Sequence, residues 1–277
     1  MRLTYLGTGA SEGFPALFCK CEACQRAQRA GGKNIKRRSC AMIEERVLID
    51  LSPDLYMQKL AFNLDLSRVE SLIVTHSHED HFDVFSLMLR GKKSYCKIDP
   101  EIRDIKLQVY GNEAVEQVFY QGVNHKLGGS LEMLNFNTVT EFVPFVASGL
   151  KFTPLLANHK KDEKCLIYLI EDNKKRILYA NDTDAVAEIN YTKIKGLKLD
   201  VVSMDCARGR YPGDGHMGLT ENRLMRQALA ANGCVHSGTR FFLTHISHMC
   251  DQIHDELAAE AAKFEFELAY DGMIVEI

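Results

Sequence analysis

Four residues of metal-binding type, His76, His78, Asp80 and His81, fall within the run Thr75-His76-Ser77-His78-Glu79-Asp80-His81. The preceding Ser71-Leu72-Ile73-Val74 has the length and composition of a buried strand, which places the cluster where the chain leaves a sheet. Alternate residues of an extended segment share a face, so His76 and His78 can grip one ion. Asp80 and His81 lie past the turn and can face a second position. Imidazole nitrogen with carboxylate oxygen suits zinc, manganese or iron rather than calcium or magnesium. A strand cap over a solvated loop is the plainer alternative, but polar groups this dense need a partner once buried.

Two ions need more ligands than this cluster offers. His159, Asp182 and His245 each follow a strand-like run, ending at Asn158, Asn181 and Thr244. Singly each is an ordinary strand-end polar residue; with the central cluster they make a complete two-metal set. A second group, Cys19-Lys20-Cys21-Glu22-Ala23-Cys24, offers three thiols amid basic residues that favour thiolates. Three sulfurs need a fourth ligand to close a tetrahedral zinc site, and redox-active thiols are the alternative. His216 stands in the glycine-rich Gly213-Asp214-Gly215-His216-Met217-Gly218, where it is either a general acid over the cleft or an exposed loop histidine.

These residues must be carried by strands and helices. Arg2–Leu6 alternates as a strand, and Gly7-Thr8-Gly9 turns it; a lone Gly-x-Gly is weak evidence for nucleotide binding. Strands are expected at 46–50, 71–74, 107–110, 141–145, 151–155, 165–170, 176–180 and 200–204. Helical spacing falls at 82–89, 112–121, 219–232 and 251–263, with Gly233 as a C-cap. Residues 121–137 have no clear pattern and are a candidate cover for the cleft. Closing strands at 266–270 and 273–277 are joined by Asp271-Gly272, a hairpin signal. The strand ending at Asp50 has an echo ending at Asp182, and the strand before His76 has one before His245. Such pairs suggest two similar halves lending ligands to a shared cleft. No linker divides residues 1–277, so one domain is the economical reading.

The 277 residues are 46 % hydrophobic and 26 % charged, ordinary for a globular protein. A formal charge of −3 argues against nucleic acid as a partner held by nonspecific charge. No apolar run approaches the ~20 residues that cross a bilayer, so no membrane partner is expected. Met1–Gly9 lacks the apolar core of a signal peptide, and nine cysteines without one point to a reducing compartment, the cytoplasm. Lys160, Lys161, Arg208 and Arg210 flank the ligand loops and are candidates for a second phosphate, or plain surface charge.

With its His-x-His-x-Asp-His motif followed in order by His159, Asp182 and His245, the chain resembles the metallo-β-lactamase superfamily. Within it, Leu6-Gly7-Thr8-Gly9, the three cysteines, Leu48-Ile49-Asp50, Met204-Asp205-Cys206, Thr244-His245-Ile246-Ser247-His248 and Asp271-Gly272-Met273 are similar to the phosphoribosyl cyclic-phosphate phosphodiesterases of the carbon–phosphorus lyase pathway. The resemblance implies an α/β fold, a four-layer αββα sandwich. It implies one ion on His76, His78 and His159, another on Asp80, His81 and His245, with Asp182 bridging, either manganese or zinc. It makes His248 the fourth ligand of a structural zinc with Cys19, Cys21 and Cys24, Asp50 a group orienting a ligand histidine, and His216 the general acid. The implied reaction is hydrolysis of a small, cyclic ribose phosphodiester by a metal-bridged hydroxide, with Asp80 also orienting the nucleophile. A homodimer is implied by resemblance only. Alternatives within the fold are a transfer-RNA 3′-processing nuclease, a lactone or thioester hydrolase, and a non-catalytic pathway-accessory protein. Two departures bear on the cleft wall: Val84 stands where the family often has glycine, and the segment 92–137 is longer than expected.

Overall fold

The computed structural model describes all of residues 1–277. Its strands, in chain order, are β1 (Arg2–Gly7), β2 (Cys40–Ile43), β3 (Val47–Ile49), β4 (Ser71–Ile73), β5 (Leu107–Gly111), β6 (Leu134–Thr138) and β7 (Phe145–Ala147). The second half adds β8 (Leu150–Leu156), β9 (Leu166–Glu171), β10 (Arg176–Ala180), β11 (Val201–Asp205), β12 (Arg240–Thr244), β13 (Glu267–Leu268) and β14 (Ile274–Glu276). They form two seven-stranded sheets, ordered β14-β1-β2-β3-β4-β5-β6 and β13-β12-β11-β10-β9-β8-β7. In each sheet one half is antiparallel and the other, β3 to β6 or β10 to β13, is parallel.

The strands alternate between two cores, because successive side chains leave opposite faces. In β9, Tyr168 and Ile170 enter the layer between the sheets while Ile167 and Leu169 face outward onto helices. Both faces are buried, which is why these strands read as continuous apolar runs. The inner layer also takes Tyr5, Phe152, Tyr179 and Phe242. Outside sheet one lie α2 (Leu55–Phe62), α3 (Val84–Leu87) and α4 (Glu113–Leu127). Outside sheet two, with α1 (Glu22–Ala30) packed into the same core, lie α5 (Glu188–Lys193), α6 (Leu219–Ala231) and α7 (His254–Ala262). The result is the four-layer αββα sandwich. No helix is long and apolar enough to cross a membrane.

Several expectations change. Residues 121–137 complete α4, which Gly128 ends in a left-handed cap, and then form edge strand β6. Helix 82–89 shrinks to α3 followed by a 3-10 turn, and the strand expected at 141–145 begins only at Phe145. Val84 of α3 packs so closely on α4 that a Cβ on Gly122 would lie 2.6 Å from its Cγ2, so the two positions are coupled. Asp271-Gly272 joins no hairpin, since β13 belongs to sheet two and β14 to sheet one. Asp271 instead receives the Thr8 and Arg37 backbone N–H groups, at 2.9 and 2.7 Å, and ties the first glycine turn to the chain's end.

Candidate metal centre

The ends of the parallel strands bring the chemistry together, where open α/β sheets place their ligands. Asp50 follows β3, His76 follows β4, Asp182 follows β10, Asp205 ends β11 and His245 follows β12. The connection between β8 and β9 adds His159. Asp50, Asp182 and His245 all have left-handed backbone, φ 60°, 54° and 56°, a conformation non-glycine residues hold only where the surroundings enforce it.

Three donor groups share Asp182: with His76, His78 and His159; with Asp80, His81 and His245; and with Asp205, His216 and His245, each with ligand atoms within 4.8 Å of one another. His78 Nδ1 lies 3.0 Å from both His76 Nε2 and His159 Nε2. Neutral imidazoles offer this point at most shared protons among three converging nitrogens, and a cation in their place would take a lone pair from each. Asp80 Oδ2, His81 Nε2 and Asp182 Oδ1 are buried with no hydrogen-bond partner. Yet His81 Nε2 is 3.2 Å from Asp80 Oδ2, and Asp182 Oδ1 is 3.2 Å from His159 Nδ1. Buried donors left unpaired beside one another are an arrangement that a divalent metal ion would complete, and nitrogen with oxygen donors suits a transition metal.

The far ring nitrogens are held by the protein. His81 Nδ1–H donates to Asp50 Oδ2 at 2.7 Å. His76 Nδ1–H donates to Thr75 Oγ1 at 3.0 Å, and that hydroxyl passes its own hydrogen to Asp50. His245 Nδ1–H donates to Ser39 Oγ at 2.8 Å, which in turn donates to the Gly9 carbonyl at 3.0 Å. Each contact fixes the tautomer that turns Nε2 into the site. Burial would raise the Asp182 carboxyl, but the histidines around it, His245 foremost, hold it well below the usual carboxylate range. Burial, with the neighbouring histidines, pushes His159 down to about 4, so its ring is a free ligand at neutral pH.

His216 joins this group: its Nδ1 lies 2.8 Å from Asp205 Oδ2 and 3.2 Å from Asp182 Oδ1. Burial lowers its pKa, but the hydrogen bond and charge of Asp205 outweigh burial and lift it to about 9. A cavity of about 170 Å³ opens above, floored by His78, Asp80, His159, Asp182, His216 and His245. Its rim is Ala10, Ser11, Glu12, Ala207, Ser247 and Met249. Nothing from 92–137 lines it, so the longer segment does not form its wall. Lys160, Lys161, Arg208 and Arg210 are absent too; Lys160 Nζ turns to Glu163 at 3.3 Å and Arg208 Nε to the Pro212 carbonyl at 3.3 Å.

The cysteine group closes as well. Sγ of Cys19 and of Cys21 each lie 3.5 Å from His248 Nδ1, and Cys24 completes a set within 4.8 Å. Backbone N–H groups of Cys21, Cys24 and Ala16 point at the three sulfurs, at 3.4, 3.4 and 3.3 Å. All nine cysteines are free thiols, and Cys40, Cys165, Cys206, Cys234 and Cys250 are buried like Cys24.

A family model described as a β-lactamase superfamily domain matches residues 45–246. The chain belongs to the metallo-β-lactamase superfamily. Divalent metal binding and hydrolase chemistry go with that membership, and the donor groups fit both. The superfamily fold is similar here to a diphosphatase of the PhnP family, with TM-score 0.76 and 22 % identity over 100 % of this chain and 97 % of that one. It is similar to zinc-bound PqqB from Methylobacterium extorquens, with TM-score 0.71 and 16 % identity over 100 % of both chains. Human tRNase Z, short form, matches with TM-score 0.64 and 15 % identity over 100 % of this chain and 99 % of that one. Among curated proteins, 84 residues are 36 % identical to an octanoyltransferase from Porphyromonas gingivalis (strain ATCC BAA-308 / W83). That stretch is 29 % of this chain and 16 % of that protein, too small a share to bring its activity across.

Sequence reasoning left four supporting residues of this metallo-β-lactamase centre without a role. Asp205, Ser39 and Thr75 hold His216, His245 and His76 as described. Glu163 is the fourth: its side chain is 1 % exposed and accepts from Ser77 N, Ser77 Oγ and Asn112 Nδ2 at 2.9, 2.5 and 2.8 Å. It therefore links the loop between His76 and His78 to the loop of His159. Asp205 and Thr75 had a signal, each standing directly after an expected strand, 200–204 and 71–74.

Proposed function

We propose that this protein is a dinuclear-metal-dependent phosphodiesterase acting on a small, compact diester such as a cyclic ribose phosphate. The observation that carries this reading is the convergence of His76, His78 and His159 on one side of Asp182, and of Asp80, His81 and His245 on the other. Those residues would hold two divalent ions, with Asp182 between them, and Cys19, Cys21, Cys24 and His248 would hold a structural zinc. Two ions in such a site supply Lewis acidity and a nucleophile at neutral pH.

The chain's own residues do the rest. Asp50, Thr75 and Ser39 keep three imidazoles in the ligating tautomer. Asp205 binds His216 Nδ1 and leaves Nε2 to donate a proton to the leaving alkoxide, a contribution of ~10²–10⁴-fold for a general acid. Asp80, a ligand first, is also placed on the cavity floor to orient the nucleophile. The small cavity favours a compact substrate over a transfer RNA, and its rim presents no basic residue to a nucleic-acid backbone. Similarity to a PhnP-family diphosphatase and to tRNase Z supports phosphoryl chemistry over lactone cleavage.

The test is turnover by the manganese- or zinc-reconstituted protein of ribose 1,2-cyclic phosphate, 2′,3′-cyclic nucleotides, a precursor transfer RNA and a lactone. Cyclic-diester turnover that collapses in His216→Ala supports the substrate class and the acid together. Activity confined to the RNA or the lactone overturns the reading, and silence on every substrate with both metals bound points to an accessory protein.

A further inference from the structure

Three imidazoles of the centre are oriented through their far ring nitrogens, by Thr75, Asp50 and Ser39. His159 has no such partner. Its Nε2 lies 3.0 Å from His78 Nδ1 and its Nδ1 lies 3.2 Å from Asp182 Oδ1, so both nitrogens meet only other members of the donor groups. The position of this ring therefore depends on what holds its backbone.

His159 stands in the connection between β8 and β9, and the residue before it is bonded to the loop that follows β10. Asn158 N–H donates to Thr183 Oγ1 at 2.9 Å, and Asp184 N–H donates to the Asn158 carbonyl at 2.9 Å. The Thr183 hydroxyl passes its own hydrogen to the Asp184 carbonyl at 2.8 Å, which turns its lone pairs toward Asn158. Thr183 is fully buried and directly follows Asp182, whose backbone is left-handed at φ 54°. One hydroxyl thus ties together two members of the first donor group, His159 and Asp182. The Thr183 backbone N–H has a different task. It donates at 3.2 Å to Asp205 Oδ2, the oxygen that also binds His216 Nδ1. A change of side chain at 183 therefore frees the His159 loop and leaves the backbone contact to Asp205 in place.

We infer that Thr183 is a positioning residue of the metal centre: its hydroxyl presets the spacing of His159 and Asp182. It thereby sets the affinity of the ion held by His76, His78 and His159, and not that of the ion held by Asp80, His81 and His245. Partners that stand behind metal ligands commonly contribute ~10–100-fold in affinity. The inference rests on the two-ion reading of the centre. Metal binding tests it, so the outcome does not depend on the substrate.

The test titrates metal-free wild type, Thr183→Val, Thr183→Ser and His159→Ala by calorimetry with manganese, an ion that thiolates do not favour. His159→Ala marks the binding step that belongs to the first donor group. Thr183→Val, which keeps the shape and removes the hydroxyl, should weaken that step by about 10-fold and leave the other unchanged. Added to His159→Ala it should cost nothing more, as for two residues that act through one contact. Thr183→Ser, which keeps the hydroxyl, should bind like wild type. Hydrogen exchange reads the contact before any ion arrives: the Asn158 amide should be protected in metal-free wild type. In Thr183→Val it should exchange about 10-fold faster, the scale of one net hydrogen bond. Equal weakening of both steps, additive losses in the double variant, failure of serine to restore affinity, or free exchange of the Asn158 amide in wild type overturns the inference and leaves the phosphodiesterase reading standing. Wild type that takes up a single manganese ion overturns the two-ion reading and the inference with it.

Discussion

Asp50 and Asp182 occupy matching places in the two halves of the sandwich. Each follows the middle strand of its sheet, each is buried, and each has left-handed backbone. Their surroundings differ. Asp50 has a protein donor for both oxygens: Thr75 N at 2.8 Å, Thr75 Oγ1 at 3.0 Å and His81 Nδ1 at 2.7 Å. Asp182 keeps Oδ1 without a hydrogen bond while histidines crowd around it. A satisfied buried carboxylate fixes geometry, whereas an unsatisfied one leaves room for a cation. The same local design, a strand ending in aspartate, therefore serves two purposes according to what the opposite sheet supplies.

The largest test of this contrast is Asp182→Ala. Turnover by the metal-loaded enzyme should fall by about 10²–10³-fold or more, and bound metal measured by mass spectrometry should drop, with the metal-free fold retained by circular dichroism. Unchanged metal content would remove Asp182 from the centre. Next, Asp50→Asn should place an amide N–H against His81 Nδ1, drive the ring proton to Nε2 and block its lone pair. Loss of such a partner typically costs ~10–100-fold in metal affinity. Because Asp50 bonds to protein donors and Asp182 Oδ1 has none, the Asp50→Asn protein should also melt lower than the Asp182→Ala protein when both are stripped of metal. The reverse order of melting would break the comparison.

The cysteine group gives a smaller effect at the catalytic centre. Cys21→Ser should release one zinc per chain and lower the melting temperature. Turnover should fall less than in Asp182→Ala, since only the Ser247–His248 loop connects the two groups. Smallest is Glu163→Gln, expected to weaken metal affinity several-fold by loosening the joined loops of His78 and His159. Burial raises the Glu163 carboxyl, but hydrogen bonds from Ser77 and Asn112 outweigh it and leave the group below its ordinary value of 4.5. Its stabilisation is therefore complete above about pH 4.5 and is lost as pH falls through the lowered folded value. Melting curves of wild type and of the Glu163→Gln protein should differ at pH 7 and converge in acid.

Much of the centre was legible because its candidate donors sit at the ends of apolar runs. Strands buried on both faces announce themselves as short hydrophobic stretches, and the polar residue that ends each one stands out. His76 to His81 could be read from one loop alone. The supporting residues could not, because Ser39 meets His245 across 206 positions and Glu163 meets Ser77 across 86. The misread closing hairpin has the same origin: Asp271-Gly272 is a valid turn, but a turn does not say which sheet each flanking strand joins.

Residue types and strand periodicity by themselves located most of the candidate donors and the alternation of the strands, and the resemblance of the motifs gave the superfamily. These depend on local chemistry and on burial, and both leave marks within a few residues. The tertiary structure alone decided which ring nitrogen faces the centre, which of two equivalent aspartates is left unsatisfied, and that the cavity rim brings Glu12 to Ser247. Those properties arise where loops from separate sheets meet, and no single segment contains them.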